Sequence, residues 1–242
     1  MRVPVRAVVV SLAAASLVLG GLSAAVQLGR YVYGHDSLFG LYRQFDMDRE
    51  ANLPTWFSSS LLLLSAALLA LIAGDRAARR APGSRIWWAL AALFVCLSVD
   101  EAASIHERLL LPRAWLGDAA GWRGVTWMLP GLLAGAAIAV ALARFVRALP
   151  PRTRLRLLLA AALLLASEMG LEALGGWVEL RYGSASLSYG LMYTAEETVA
   201  LLGEVAFVYV WLDHLAHGPG PLAIAFGRRA GDPLATAGEG GA

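Results

Sequence analysis

The chain has 242 residues, of which 58% are hydrophobic and only 16% charged, with a net charge of +2 at neutral pH. Soluble domains carry about 45–50% apolar and about 25% charged residues, so this composition argues against an ordinary water-soluble fold. All the basic charge is arginine, and the arginines cluster beside apolar blocks. Membrane topology therefore accounts for the basicity without a nucleic-acid partner.

The apolar residues fall in blocks of about twenty, the length needed to cross roughly 30 Å of hydrocarbon. They predict an all-α, polytopic transmembrane helix bundle of six spans, at about 6–27, 54–73, 86–109, 125–145, 157–180 and 189–215, forming one domain over 1–217. Arg2 and Arg6 precede the first block. Together with the small residues Ser23, Ala24 and Ala25 they could be read as a signal peptide, but the apolar stretch is long for one. A polar, aromatic loop from Arg30 to Leu53 leads to the second span, which opens on Pro54, Thr55 and Trp56; proline is favoured at the first turn of a helix. A basic loop with Arg76, Arg79, Arg80 and Arg85 precedes the third span. Pro150 and Pro151 stop the fourth. The tail 218–242, rich in Gly, Ala and Pro, is predicted to be disordered and cytoplasmic.

With the N-terminus inside, thirteen arginines fall on the inner side and seven on the outer, so the positive-inside rule predicts N-in and C-in. The expected location is a bacterial inner membrane, with the lipid bilayer as the main partner. The Gly131-x-x-x-Gly135 pattern suggests a close helix contact, as in a homodimer or a membrane complex. Cys96 is the single cysteine, so an intramolecular disulfide is excluded.

The chemically suggestive residues are acids inside the spans. The third span carries Asp100 and Glu101, the fifth Glu168 and Glu172, and the sixth Glu196, Glu197 and Glu204. Each such group costs at least about 2.5–3.5 kcal/mol near a span centre, so they are expected to face the bundle interior. At a rise of 1.5 Å per residue, Asp100 and Glu168 lie about 21 and about 17 Å from the inner ends of their spans, and Glu196 about 11 Å from the outer end. These three share a level and form the expected centre, with Glu101, Glu172 and Glu197 around them. Spacings of four and three put Asp100, Ser104 and Glu107 on one face of the third span, and a spacing of seven stacks Glu197 on Glu204.

Burial and mutual repulsion favour neutral carboxyls, so the acids are suited to binding and releasing protons or cations. A divalent metal held by His106, Asp100 and Glu168 is an alternative, since carboxylates and imidazole suit Mn, Fe or Zn. His214 and His217 lie at the opposite end of the bundle. No cofactor is otherwise predicted. The acids could also simply lock helices together. Asp46-x-Asp48-x-Glu50 reads as a solvated acidic loop, because it lacks the glycine and the twelfth-position glutamate of a calcium loop. Ser58, Ser59 and Ser60 open the second span and are expected to bond across helices.

Asp-x-Asp-x-Glu-x-Asn-x-Pro-Thr-Trp-Phe-Ser at 46–58, Ser-x-Asp-Glu-x-x-Ser-x-His-Glu at 98–107 and the pair Glu196-Glu197 together resemble a group of bacterial multi-pass membrane proteins whose activity is uncharacterised. A fainter similarity is to ceramidase-like membrane hydrolases. It implies a zinc-dependent hydrolase with Ser98, Asp100 and His106 as its working residues.

Overall fold

The computed structural model describes residues 4–35, 37–105 and 125–218, and among these it is helical, with no strand. His106, the acid Glu107, and the tail beyond Gly218 lie outside the described residues. Helix α1 spans Val5–Tyr31 and the short α2 spans Leu41–Phe45. Then come α3 (Leu53–Ala78), α4 (Ser84–Ala103), α5 (Val125–Ala148) and α6 (Pro151–Leu165). A π-helical segment, Ala166–Leu171, joins α6 to α7 (Glu172–Tyr182), and α8 (Leu187–Ala216) closes the bundle.

Five of these helical stretches are long and apolar enough to cross a membrane: α1, α3, α4, the continuous run Pro151–Tyr182, and α8. The chain is thus a helical protein built for a bilayer. Each spanning helix satisfies its own backbone groups internally, the requirement hydrocarbon imposes.

Helix α3 starts where sequence chemistry dictates. Asn52 caps it, accepting from the Thr55 amide at 3.0 Å, and Pro54 fills the first turn. Helices α3 and α4 form a hairpin through a tight turn that uses the positive φ of Arg80 and Gly83. Serines clasp its far end. Ser59 Oγ donates to the Ser98 carbonyl at 2.9 Å, and Ser98 Oγ donates to the Ser59 carbonyl at 2.8 Å. Ser98 is thereby held in helix packing.

Helix α8 is the axis of the bundle, packing on α1, α3, α6 and α7. It meets α1 antiparallel. A Cβ on Gly20 would lie 2.3 Å from Thr198 Oγ1, Ser23 and Thr194 share a 2.8 Å hydroxyl contact, and Gly190 abuts the Gln27 side chain. The start of α1 and the end of α8 therefore lie at the same end of the bundle. In lipid such close approach, with hydroxyls as glue, replaces the hydrophobic drive of water.

The half of the bundle near the end of α8 has an aromatic core. Trp87 meets Phe145 edge-on at 5.0 Å and Trp211 at 6.1 Å, and Phe94 meets Phe207 at 5.3 Å. Phe145 and Leu142 tie the last turns of α5 to this core, while Leu133 and Val140 on the same helix are exposed.

Candidate functional site: an acid-lined cavity

The opposite half of the bundle is polar. Its outer cover is built by the 46–52 loop, which turns inward. Asp46 is 1% exposed. Gln27 Nε2 of α1 donates to its Oδ1 at 2.7 Å, and Arg49 Nε donates to its Oδ2 at 3.0 Å. Asn52 Nδ2 donates to the Asp46 and Arg49 carbonyls at 2.8 and 2.6 Å, while its side-chain oxygen caps α3. Tyr42 of α2 packs between the Arg30 and Arg49 guanidinium groups, 4.6 and 5.4 Å from its ring centre, and Arg30 also donates to its hydroxyl.

The expectation of a solvated loop at Asp46 is thus corrected: this acid is the loop's internal anchor. Met47 is likewise buried, within reach of the Thr198 hydroxyl. Burial and the neighbouring Asp46 carboxylate push the Tyr42 hydroxyl above its ordinary range. Asp48, crowded by the loop yet reachable by water, is pushed up to about 6, first by desolvation and then by Asp46; Glu179 adds to the effect and Arg49 opposes it.

Beneath this cover lies a cavity of about 80 Å³. Five carboxyl groups line it: Glu50 from the loop, Glu101 from α4, Glu168 from the π segment, and Glu197 and Glu204 from α8. Hydroxyls of Thr55, Ser58 and Tyr193 complete the polar wall. Ser58 Oγ donates to Glu204 Oε1 at 2.7 Å, whereas Glu204 Oε2 is buried with no hydrogen-bond partner among the described residues. Glu50 is exposed as well as lining, so the cavity's mouth lies at the loop.

Local structure explains why these side chains converge. The buried stripe of α4 runs Trp87, Leu90, Phe94 and Ser98, and continuing it by three residues reaches Glu101. On α8 the stripe reads Glu197, Leu201, Glu204, Val208, Trp211 at alternating steps of four and three. The π segment is held to α8 by the fully buried Ser167, whose Oγ donates to the Glu196 carbonyl at 2.6 Å. That bond sets Glu168 beside the cavity. Single π turns inside α-helices are frequent at functional sites.

The acids expected from sequence divide into three groups. Glu101, Glu168 and Glu197 meet at the cavity. Glu196 is buried beside them, its carboxyl within hydrogen-bonding reach of Glu172 and 3.5 Å from where a Cβ on Gly175 would stand. Asp100 is partly buried on α4 and is not among the cavity-lining residues. Of the face expected to join Asp100, Ser104 and Glu107, the step from Asp100 to Ser104 is interrupted, because α4 ends at Ala103 and Ser104 has a left-handed φ of 49°; Glu107 lies outside the described residues. Of the proposed metal ligands, Glu168 lines the cavity, Asp100 does not, and His106 is outside the described residues. Among the described residues no three acidic, histidine or cysteine side chains are arranged to grip a metal ion. Sequence reasoning missed Glu50, Thr55 and Tyr193.

Chemically, this is a small carboxyl-lined space inside a bundle of helices long and apolar enough to cross a membrane. The chain belongs to the family described as Domain of unknown function (DUF8692), whose model matches residues 5–215. No curated protein and no solved structure matches it.

Proposed function

We propose that the cavity is a binding site for exchangeable positive charge, protons or a small cation in their place, and that the protein couples this binding to transport. Two magnitudes support the reading. At about 80 Å³ the space suits a few waters or an ion, well below the roughly 300–1,000 Å³ of pockets for organic ligands. Two ionised carboxylates about 5 Å apart repel by about 3 kcal/mol at an effective dielectric of about 20, so carboxyls sharing this space favour the uptake of positive charge. Glu204 Oε2, and Glu196 Oε2 beside the cavity, are buried with no hydrogen-bond partner among the described residues and are placed to take up a proton or a cation. The convergence of five carboxyls on one enclosed space carries the proposal.

In this reading α5 is a sixth span, both termini face the cytoplasm of a bacterium, and the mouth at Glu50 faces outward, as the arginine asymmetry favours. At 242 residues the chain is small for a transporter and acts as a homodimer or within a membrane complex.

The test is reconstitution of the full chain in vesicles under an imposed pH or cation gradient, followed by an internal fluorescent reporter. The wild type should carry flux, and Glu197→Gln and Glu168→Gln should reduce it to the level of protein-free vesicles. Wild-type vesicles indistinguishable from empty ones for protons and for small cations would sink the transport reading.

A further inference from the structure

At the other end of the bundle, where α8 terminates, a second and larger cavity opens. Its volume is about 680 Å³, within the range of organic-ligand sites. Its walls combine apolar surfaces from Trp87, Phe145 and Leu149 with the cations Arg76 and Arg152 and the imidazole of His214. Trp87 and His214 stack at 4.9 Å, giving a flat wall.

The charges point one way. Arg76 donates from Nη2 to the Pro82 carbonyl at 2.7 Å, while its Nε is buried with no hydrogen-bond partner among the described residues. Arg152 is exposed and donates to His217 Nε2 at 3.2 Å, leaving other N–H groups of its guanidinium fork for a ligand. Asp213 is the acid in the lining, and it is paired with Arg156 and His217. Nearby Asp75 is paired with Arg79. Two helices also begin here, α4 after Gly83 and α6 after Pro150, and neither N-terminus has a side-chain cap. Their free amides and positive dipole ends add to the field of the arginines.

From this geometry we infer that the cavity binds the phosphate headgroup of an anionic membrane lipid. Arg76 and Arg152 grip the phosphate, and the Trp87, Phe145 and Leu149 wall receives the first carbons of the lipid. Basic pockets between spanning helices bind anionic headgroups in this way. The inference does not depend on the role of the acid-lined cavity.

The experiment is native mass spectrometry of the full chain released from neutral detergent, with phosphatidylglycerol, with phosphatidylcholine of the same acyl chains, and with inorganic phosphate. Phosphatidylglycerol should be retained in preference to phosphatidylcholine. Arg76→Gln and Arg152→Gln should each weaken that retention by about fivefold, the equivalent of about 1 kcal/mol for each basic residue at a membrane surface. Arg152 is exposed, so its replacement spares the fold. Arg85→Gln, an exposed arginine on the same end but outside the lining, should retain the lipid as the wild type does. Equal retention of both lipids, or equal loss in the Arg85 variant, would overturn the site. Inorganic phosphate binding as tightly as phosphatidylglycerol would overturn the lipid assignment in favour of a soluble phosphate.

Discussion

Asp48 is the residue at which solution pH reaches the cavity's cover. Its carboxyl is raised from 3.8 to about 6 by desolvation and by Asp46. The folded chain therefore binds more protons here than the unfolded chain across that window. Stability from this group is fully present below 3.8 and is lost as pH rises through about 6. Asp48→Asn removes the titration. Hydrogen exchange of the 46–52 amides should quicken between pH 4 and about 6 beyond the intrinsic rate in the wild type, and should follow only the intrinsic rate in the variant. Equal behaviour of the two proteins would remove Asp48 from the loop's energetics. Much of this neighbourhood was hidden at the level of residue types. Asp46 reads as a loop acid until Gln27, nineteen positions away, is seen to bond it. Likewise Asp100 and Glu101 are adjacent and chemically alike. What separates them is about 100° of rotation around α4, and the Ser59–Ser98 clasp fixes that rotation in favour of Glu101.

Among the elements, α8 decides the architecture, and its contact with α1 is the tightest. Thr198 fills the space over Gly20 while donating to the Thr194 carbonyl at 2.6 Å. Gly20→Ala would drive a methyl into Thr198 and turn its side chain away from Met47, loosening the cover from below. The expected cost is about 1–3 kcal/mol, the usual range for overpacking, read as a lowered thermal midpoint in detergent. Adding Thr198→Ala, which removes both the hydroxyl and the methyl that the new group would meet, should restore part of the loss; an unchanged midpoint in Gly20→Ala would contradict the close packing. The existence of these helices was legible because apolar blocks of about twenty residues have few other uses. The Glu197–Glu204 stripe was legible because helical period alone specifies it. The π segment was not. One widened turn at 166–171 depends on the tertiary bond from Ser167 to the Glu196 carbonyl, and local sequence does not reveal that bond.

On the scale of the whole molecule, the bundle is polarised. One half has an aromatic core and ends in a basic cavity; the other is cut by an acid-lined cavity under an anchored loop. Placing four carboxyls, Glu101, Glu168, Glu197 and Glu204, on the spanning helices costs several kcal/mol in stability, and the proposed ion-handling role gives that cost a function. The central claim is that these groups take up and release positive charge. Infrared difference spectroscopy of the lipid-reconstituted chain, taken between acid and alkaline buffer and with cations added at fixed pH, reads protonated carboxyls directly. The account predicts a protonated-carboxyl band that changes with pH or with the added cation and shrinks in Glu101→Gln and again in Glu197→Gln. A carboxyl region insensitive to both, with wild-type and variant spectra superimposed, would contradict it.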